Sequence, residues 1–172
     1  MRNWFNLDTK LSSKVTYIIY IVLLIYFIFL IRLCFGPQIS RAGIETPGIQ
    51  HFGRVVVLLT PLNSIVHASQ LVNLWDYIWV FGQNLLNVFL LFPILFLLVV
   101  LYPNLRNYKR ITLLAFCFSL GIEMTQVLID ILWNANRVFE IDDLWTNTLG
   151  GTMALLCYHF GNSVIKKYCY KK

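Results

Sequence analysis

Residues 111–151 read ITLLAFCFSLGIEMTQVLIDILWNANRVFEIDDLWTNTLGG. An apolar run of helical length is followed by a short polar break at Asn134 to Arg137, and a second run then opens on two aspartates. An ionisable side chain taken into hydrocarbon costs at least about 2.5–3.5 kcal/mol on insertion scales, so intramembrane carboxylates face the bundle interior and mark function. Glu123, Gln126 and Asp130 are spaced by three and four positions, which at 100° per residue aligns them on one stripe. Glu123 lies roughly 18 Å along the helix from Ile111 at 1.5 Å per residue, past the middle of a bilayer. The second run repeats the pattern: Asp143, Asn147, Gly150, Gly151 and Ala154 follow helical spacing, the polar members first and the small ones after them. Small residues allow two membrane helices to approach closely, bringing Asn147 toward Gln126 and Glu123. Asp142 and Asp143 also stand where a carboxylate caps free N–H groups and meets the positive end of a helix dipole. Arg137 is the cation nearest to Glu123, Glu140, Asp142 and Asp143, and an ion-pair network around its planar fork is expected.

Composition extends the membrane reading to the whole chain. Of 172 residues, 58% are hydrophobic and only 13% charged, against about 45–50% and about 25% in soluble domains. With no long polar stretch and no repeat, residues 1–172 form a single integral membrane domain. Four runs have spanning length: 15–33, 84–102, 111–133 and 144–165. The first exceeds a signal-peptide core and lacks a small-residue cleavage site, so it is expected to stay attached. The net charge of +6 does not point to nucleic acid, because the bases sit in short segments beside the apolar runs. Arg2, Lys10 and Lys14, then Arg106, Lys109 and Arg110, then the C-terminal lysines all fall on one side of a four-span arrangement. The positive-inside rule makes that side cytoplasmic, with both termini inside. The Arg137 turn then faces outward.

The fold class expected is therefore an all-α membrane protein with four spans. The first outer segment should hold an interfacial amphipathic helix at 70–79, where Leu71, Leu74, Trp75, Ile78 and Trp79 share one face. The run from Val55 to Leu62 is apolar but too short to span, and it is expected to lie as a shallow re-entrant or interfacial segment ended by Pro61. The cysteines Cys34, Cys117, Cys157 and Cys169 share no pairing motif, and His51, His67 and His159 are scattered. Neither a disulfide framework, nor a metal site, nor any cofactor is expected.

Glu123-Met-Thr-Gln126, followed by Arg137-Val-Phe-Glu140-Ile-Asp142-Asp143-Leu-Trp-Thr-Asn147-Thr-Leu-Gly150-Gly151, resembles the VanZ-like family of small bacterial membrane proteins. In that family a glutamate and a glutamine precede an arginine, an aspartate pair and an Asn-Thr-x-Gly segment. The resemblance extends to Asn87 and Pro93 in the second span and to Arg54 with Pro61 in the outer segment. It departs at Leu95, where the family tends to have glycine, and at Leu58-Leu59-Thr60-Pro61-Leu62, where it has Asn-Leu-x-Pro-Phe. A member of the family is linked to low-level resistance to the glycopeptide teicoplanin, which implies a role in the cell envelope and in glycopeptide susceptibility.

Three functional readings follow. In the first, Glu123, Gln126, Arg137, Asp142, Asp143 and Asn147 form an outer-leaflet polar pocket for a lipid headgroup, a lipid-linked wall precursor or a lipoglycopeptide, the chains staying in membrane lipid. In the second, Glu123 is the general base of an intramembrane enzyme, with Asp143 or Arg137 orienting the substrate. In the third, Glu123, Arg137 and Asp143 form a salt-bridged clasp between the last two helices, supported by Gln126 and Asn147. A homo-oligomer is compatible with all three.

Overall fold

The computed structural model describes residues 11–36, 47–70 and 73–169. Arg2, Lys10, Arg41, Leu71 and the last two lysines lie outside them. Helix α1 covers Ser13–Phe35. Strands β1 (Gln50–Phe52) and β2 (Val55–Leu58) follow, then the one-turn helix α2 (Asn63–Val66). Three long elements complete the chain: α3 (Leu74–Leu101), α4 (Tyr108–Trp133) and α5 (Ile141–Cys169), with β3 (Val138–Glu140) between the last two.

Local chemistry sets the helix ends. The Ser12 hydroxyl accepts from Val15 N at the start of α1, and Gly36 N closes its last turn on the Arg32 carbonyl. Asn107 Oδ1 accepts from Lys109 N at 3.0 Å and Arg110 N at 3.3 Å, an N-cap that starts α4 immediately after the basic turn. At the other end Asn134 adopts φ 53°, a left-handed C-cap that asparagine tolerates, and its N–H meets the Asp130 carbonyl.

Three helical segments, Ser13–Phe35, Phe81–Leu101 and Tyr108–Trp133, are long and apolar enough to cross a membrane. Their outward apolar side chains are exposed, Ile25 and Leu113 among them. In such a setting, burial of apolar area gives little drive between helices, and close van der Waals packing carries association. Helix α5 is the centre of that packing, held most extensively by α3 and next by α4, while α1 leans on α3 and α4 through a narrower strip. The buried core is Leu91, Leu95 and Val99 of α3, Ile111 and Ala115 of α4, and Ala154, Leu155 and Tyr158 of α5, joined by Leu30 and Cys34 of α1. Gly150 lies against the Val88 backbone of α3, and Gly151 against Ala115 and Leu95. The Thr112 and Thr152 hydroxyls meet across the α4–α5 seam at 3.2 Å.

Two features of the outer segment differ from the all-α expectation. Val55 to Leu58 is a strand. It pairs antiparallel with β1 and parallel with β3, with Val56 opposite Val138 and Leu58 opposite Glu140. An apolar run of four β-branched and aliphatic residues satisfies its backbone groups in this ladder, where a shallow membrane segment would leave them unpaired. The separate interfacial helix expected at 70–79 is also corrected. Ala68–Gln70 is a 3₁₀ turn, and from Leu74 onward the residues are the first turns of α3 itself. Leu74, Trp75 and Ile78 remain exposed there, so these members of the apolar stripe lie on the first turns of the long helix, Leu71 and the Trp79 side chain lying outside what is described.

Candidate functional site

The far ends of α1 and α4 and the near ends of α3 and α5 enclose a cavity of about 510 Å³. Its two sides differ in chemistry. Tyr26, Phe29 and Leu33 of α1 face Leu86, Phe89 and Leu90 of α3 and form an apolar flank. Glu123 and Gln126 of α4, Arg137 and Glu140 of the connection, and Asp143 and Asn147 of α5 form the polar side, joined by Asn87 of α3. Five of the six candidates named from sequence therefore line one cavity.

Asp142 does not line it. Its carboxylate accepts from Leu62 N at 2.7 Å and Asn63 N at 2.9 Å, and from the Trp145 indole at 2.9 Å. The capping role anticipated for it is thus spent on the turn before α2, 80 residues back in the chain, and ties the outer segment to the start of α5. Asp130 is likewise a brace. Buried at the end of α4, it accepts from Arg137 N at 2.8 Å and holds the connecting turn.

Glu123 is only 1% exposed, and its Oε2 accepts from Glu140 N at 3.1 Å. The expected clasp is not what holds Arg137. Among the described residues no ion pair joins it to Glu123 or Asp143; its guanidinium donates to the carbonyls of Leu33, at 2.9 Å, and Gly36. The physical reason is the end of α1. The last carbonyls of a helix lack intrahelical partners and carry the negative end of the dipole, so a guanidinium crossing there satisfies them and fixes α1 to the α4–α5 connection. Burial pulls the Arg137 pKa down, and Asp130 opposes that.

Sequence reasoning named Gln126, Asn87 and Glu140 without the partners they have here, and did not reach Ser119 or the Cys34 carbonyl. Ser119 is buried between α4 and α5, donates to the Asp143 carbonyl at 3.0 Å and accepts from Asn147 Nδ2 at 3.1 Å. The Asn87 amide donates to Asp143 Oδ1, and Gln126 Nε2 donates to the Cys34 carbonyl at 2.9 Å. Glu140 enters because β3 pairs with β2, which holds it facing the cavity. Spacing hints at Ser119, four residues before Glu123 on the same stripe.

Burial, then the charges of Asp143 and Asp142, push Glu140 up to about 8. A carboxyl whose folded pKa is raised contributes stability that is complete below its ordinary range and is lost as the pH climbs through the folded value. The unfolding midpoint in detergent should therefore fall between about pH 5 and about pH 9. Glu140→Gln should flatten that slope and melt above the wild type at the alkaline end. A Glu140→Gln slope equal to the wild-type slope would show that this carboxyl is not the group titrating.

A family model described as VanZ/LLP1 matches residues 17–163. No curated protein gives a match, and no solved structure does.

Proposed function

Because the chain belongs to the VanZ/LLP1 family, we propose that it acts in the bacterial cell membrane by holding the polar head of an envelope molecule in the α1–α3–α4–α5 cavity. The candidates are a lipid headgroup, a lipid-linked wall precursor or a lipoglycopeptide. The reading includes four spans, with α5 as the fourth, and both termini in the cytoplasm. Lys14, the Arg106 to Arg110 turn and Lys166–Lys167 then share the inner face, and the cavity opens to the outer leaflet.

The two-sided chemistry of the cavity is the observation that carries this reading. Leu86, Phe89 and Phe29 make a flank on which a hydrocarbon chain packs without leaving an apolar environment, while Glu123, Asp143 and Asn147 offer acceptors in the same cavity. A purely structural polar seam has no need of an open volume beside it. Ligand sites combine an apolar lining with a few convergent polar groups in this way. Through such binding the protein would lower susceptibility to lipid-anchored glycopeptides such as teicoplanin, by occupying or shielding the surface they use.

Glu123→Gln tests the reading. The amide keeps an acceptor for Glu140 N but can no longer ionise against a bound cation, so folding should persist. Cells producing wild type should tolerate more teicoplanin than cells producing Glu123→Gln at equal membrane abundance. The purified variant should melt within about 1 kcal/mol of wild type yet lose co-purifying lipid seen by native mass spectrometry. A variant that retains both its lipid and its phenotype would overturn the assignment. Loss of fold would instead assign Glu123 to packing.

A further inference from the structure

We propose that the cavity selects a primary ammonium group, so that its ligand is an amine-bearing headgroup and not a purely anionic one. This rests on the cavity being a ligand site. Most of the amide and guanidinium donors around it are engaged with the protein: Gln126 Nε2 with the Cys34 carbonyl, Asn87 Nδ2 with Asp143, Asn147 Nδ2 with Ser119, and Arg137 Nη2 with Leu33 and Gly36, which leaves Arg137 Nε and the exposed Gln83 amide at the rim. The acceptors are in surplus. Glu123, Glu140 and Asp143 all line the same volume.

Asn147 supplies an independent sign. It is 1% exposed and lines the cavity, and its Oδ1 is buried with no hydrogen-bond partner. A buried acceptor without a donor costs about 1–3 kcal/mol, which a donor-bearing ligand removes. An ammonium carries three N–H donors and no acceptor, so it suits an amide oxygen beside acidic side chains that ionise as the cation binds. Burial and neighbouring charges hold Glu140 at about 8, a penalty that a bound cation relieves. The buried Arg137 Nε, also without a partner, is a complementary donor for the anionic part of a zwitterionic head, with the ammonium turned toward Glu123 and Asn147. An anionic head lacking an amine would meet few free donors and face three acidic side chains, whose ionisation it would oppose.

Full-length protein in detergent is melted with dihexanoyl phosphatidylethanolamine, phosphatidylcholine or phosphatidylglycerol, and with ethanolamine alone. The ethanolamine lipid should raise the midpoint most. The choline lipid, cationic but without N–H groups, should do less, and the glycerol lipid least. Glu140→Gln and Asn147→Ala should each weaken the ethanolamine-lipid effect about tenfold in concentration, the loss of roughly one charge-assisted contact. Protection by ethanolamine alone at matched concentration would support the ammonium site and make a soluble amine its source; protection only by the lipid would support it with a headgroup as the source. Phosphatidylglycerol matching or exceeding phosphatidylethanolamine, with sensitivity to both variants, would overturn the amine proposal and leave the cavity a ligand site. Absence of any variant-sensitive protection would overturn both.

Discussion

Gly150→Ala is expected to disassemble the helical core, and no side-chain truncation elsewhere should rescue it. A methyl at this position would lie 2.0 Å from the Val88 carbonyl oxygen and 3.1 Å from its carbon. Both belong to the backbone of α3, which cannot rotate away, so α3 and α5 must separate along their shared seam. Overpacking costs typically 1–3 kcal/mol where side chains can adjust. Here the loss should reach about 3 kcal/mol or more, because close helix packing is the main attraction between these segments. Gly151→Ala makes the contrast. Its methyl would lie 2.5 Å from Ala115 Cβ and 2.8 Å from Leu95 Cδ1, and Ala115→Gly removes the first obstacle. The double variant Gly151→Ala with Ala115→Gly should recover much of the stability lost by Gly151→Ala alone. Detergent-resistant folding measured by thermal melting and gel filtration separates the two cases. Gly150→Ala that melts within about 0.5 kcal/mol of wild type would show that α3 and α5 are not held backbone to backbone.

These contacts show which parts of the molecule are legible in one dimension. The long helices are, since each needs only a run of apolar residues and a cap: the runs 15–33, 111–133 and 144–165 lie inside helices α1, α4 and α5, of which α1 and α4 are long and apolar enough to cross a membrane. The stripe Glu123, Gln126, Asp130 is legible too, because helical spacing sets which residues share a face. All three are buried, though only the first two line the cavity. The small sheet is not. Its β2–β3 ladder joins Val56 to Val138, and pairing across so long a separation leaves no local signature. Four apolar residues bounded by turns read equally well as a strand or as a shallow buried segment. Arg137 illustrates a different limit. Spacing places it near the carboxylates, but its hydrogen-bonding partners are the backbone carbonyls of Leu33 and Gly36. A backbone acceptor at a helix end competes with side chains and has no residue type to betray it. Charge counting therefore overstates ion pairing wherever a helix terminus lies within reach.

Asp142→Ala should free the outer segment from the helices. Three donors converge on this carboxylate, the N–H groups of Leu62 and Asn63 and the Trp145 indole, and Asp142 is only 3% exposed. Leu62 has φ 53°, a left-handed conformation that a leucine keeps only when its surroundings hold it there. The carboxylate is the hold. Each buried donor left without an acceptor costs about 1–3 kcal/mol, and bonds to a charged acceptor lie toward the upper end, so the change should cost about 3–5 kcal/mol. Asp142→Asn should lose less, since one oxygen remains, although its new N–H₂ opposes a donor. Trp145→Phe removes a single bond and should cost about 1 kcal/mol. Limited trypsin digestion gives the readout, because Arg54 is exposed between β1 and β2 and donates to the Ile131 carbonyl at 3.1 Å. Cleavage after Arg54 should accelerate strongly in Asp142→Ala and little in Trp145→Phe. The consequence reaches the cavity. β2 pairs with β3, and β3 carries Glu140 to the polar side, so the lipid retention expected of wild type should fall in Asp142→Ala even though Asp142 does not line the volume. Unchanged cleavage with diminished lipid would place Asp142 in direct contact with the ligand instead, and would refute its role as the anchor of the outer segment.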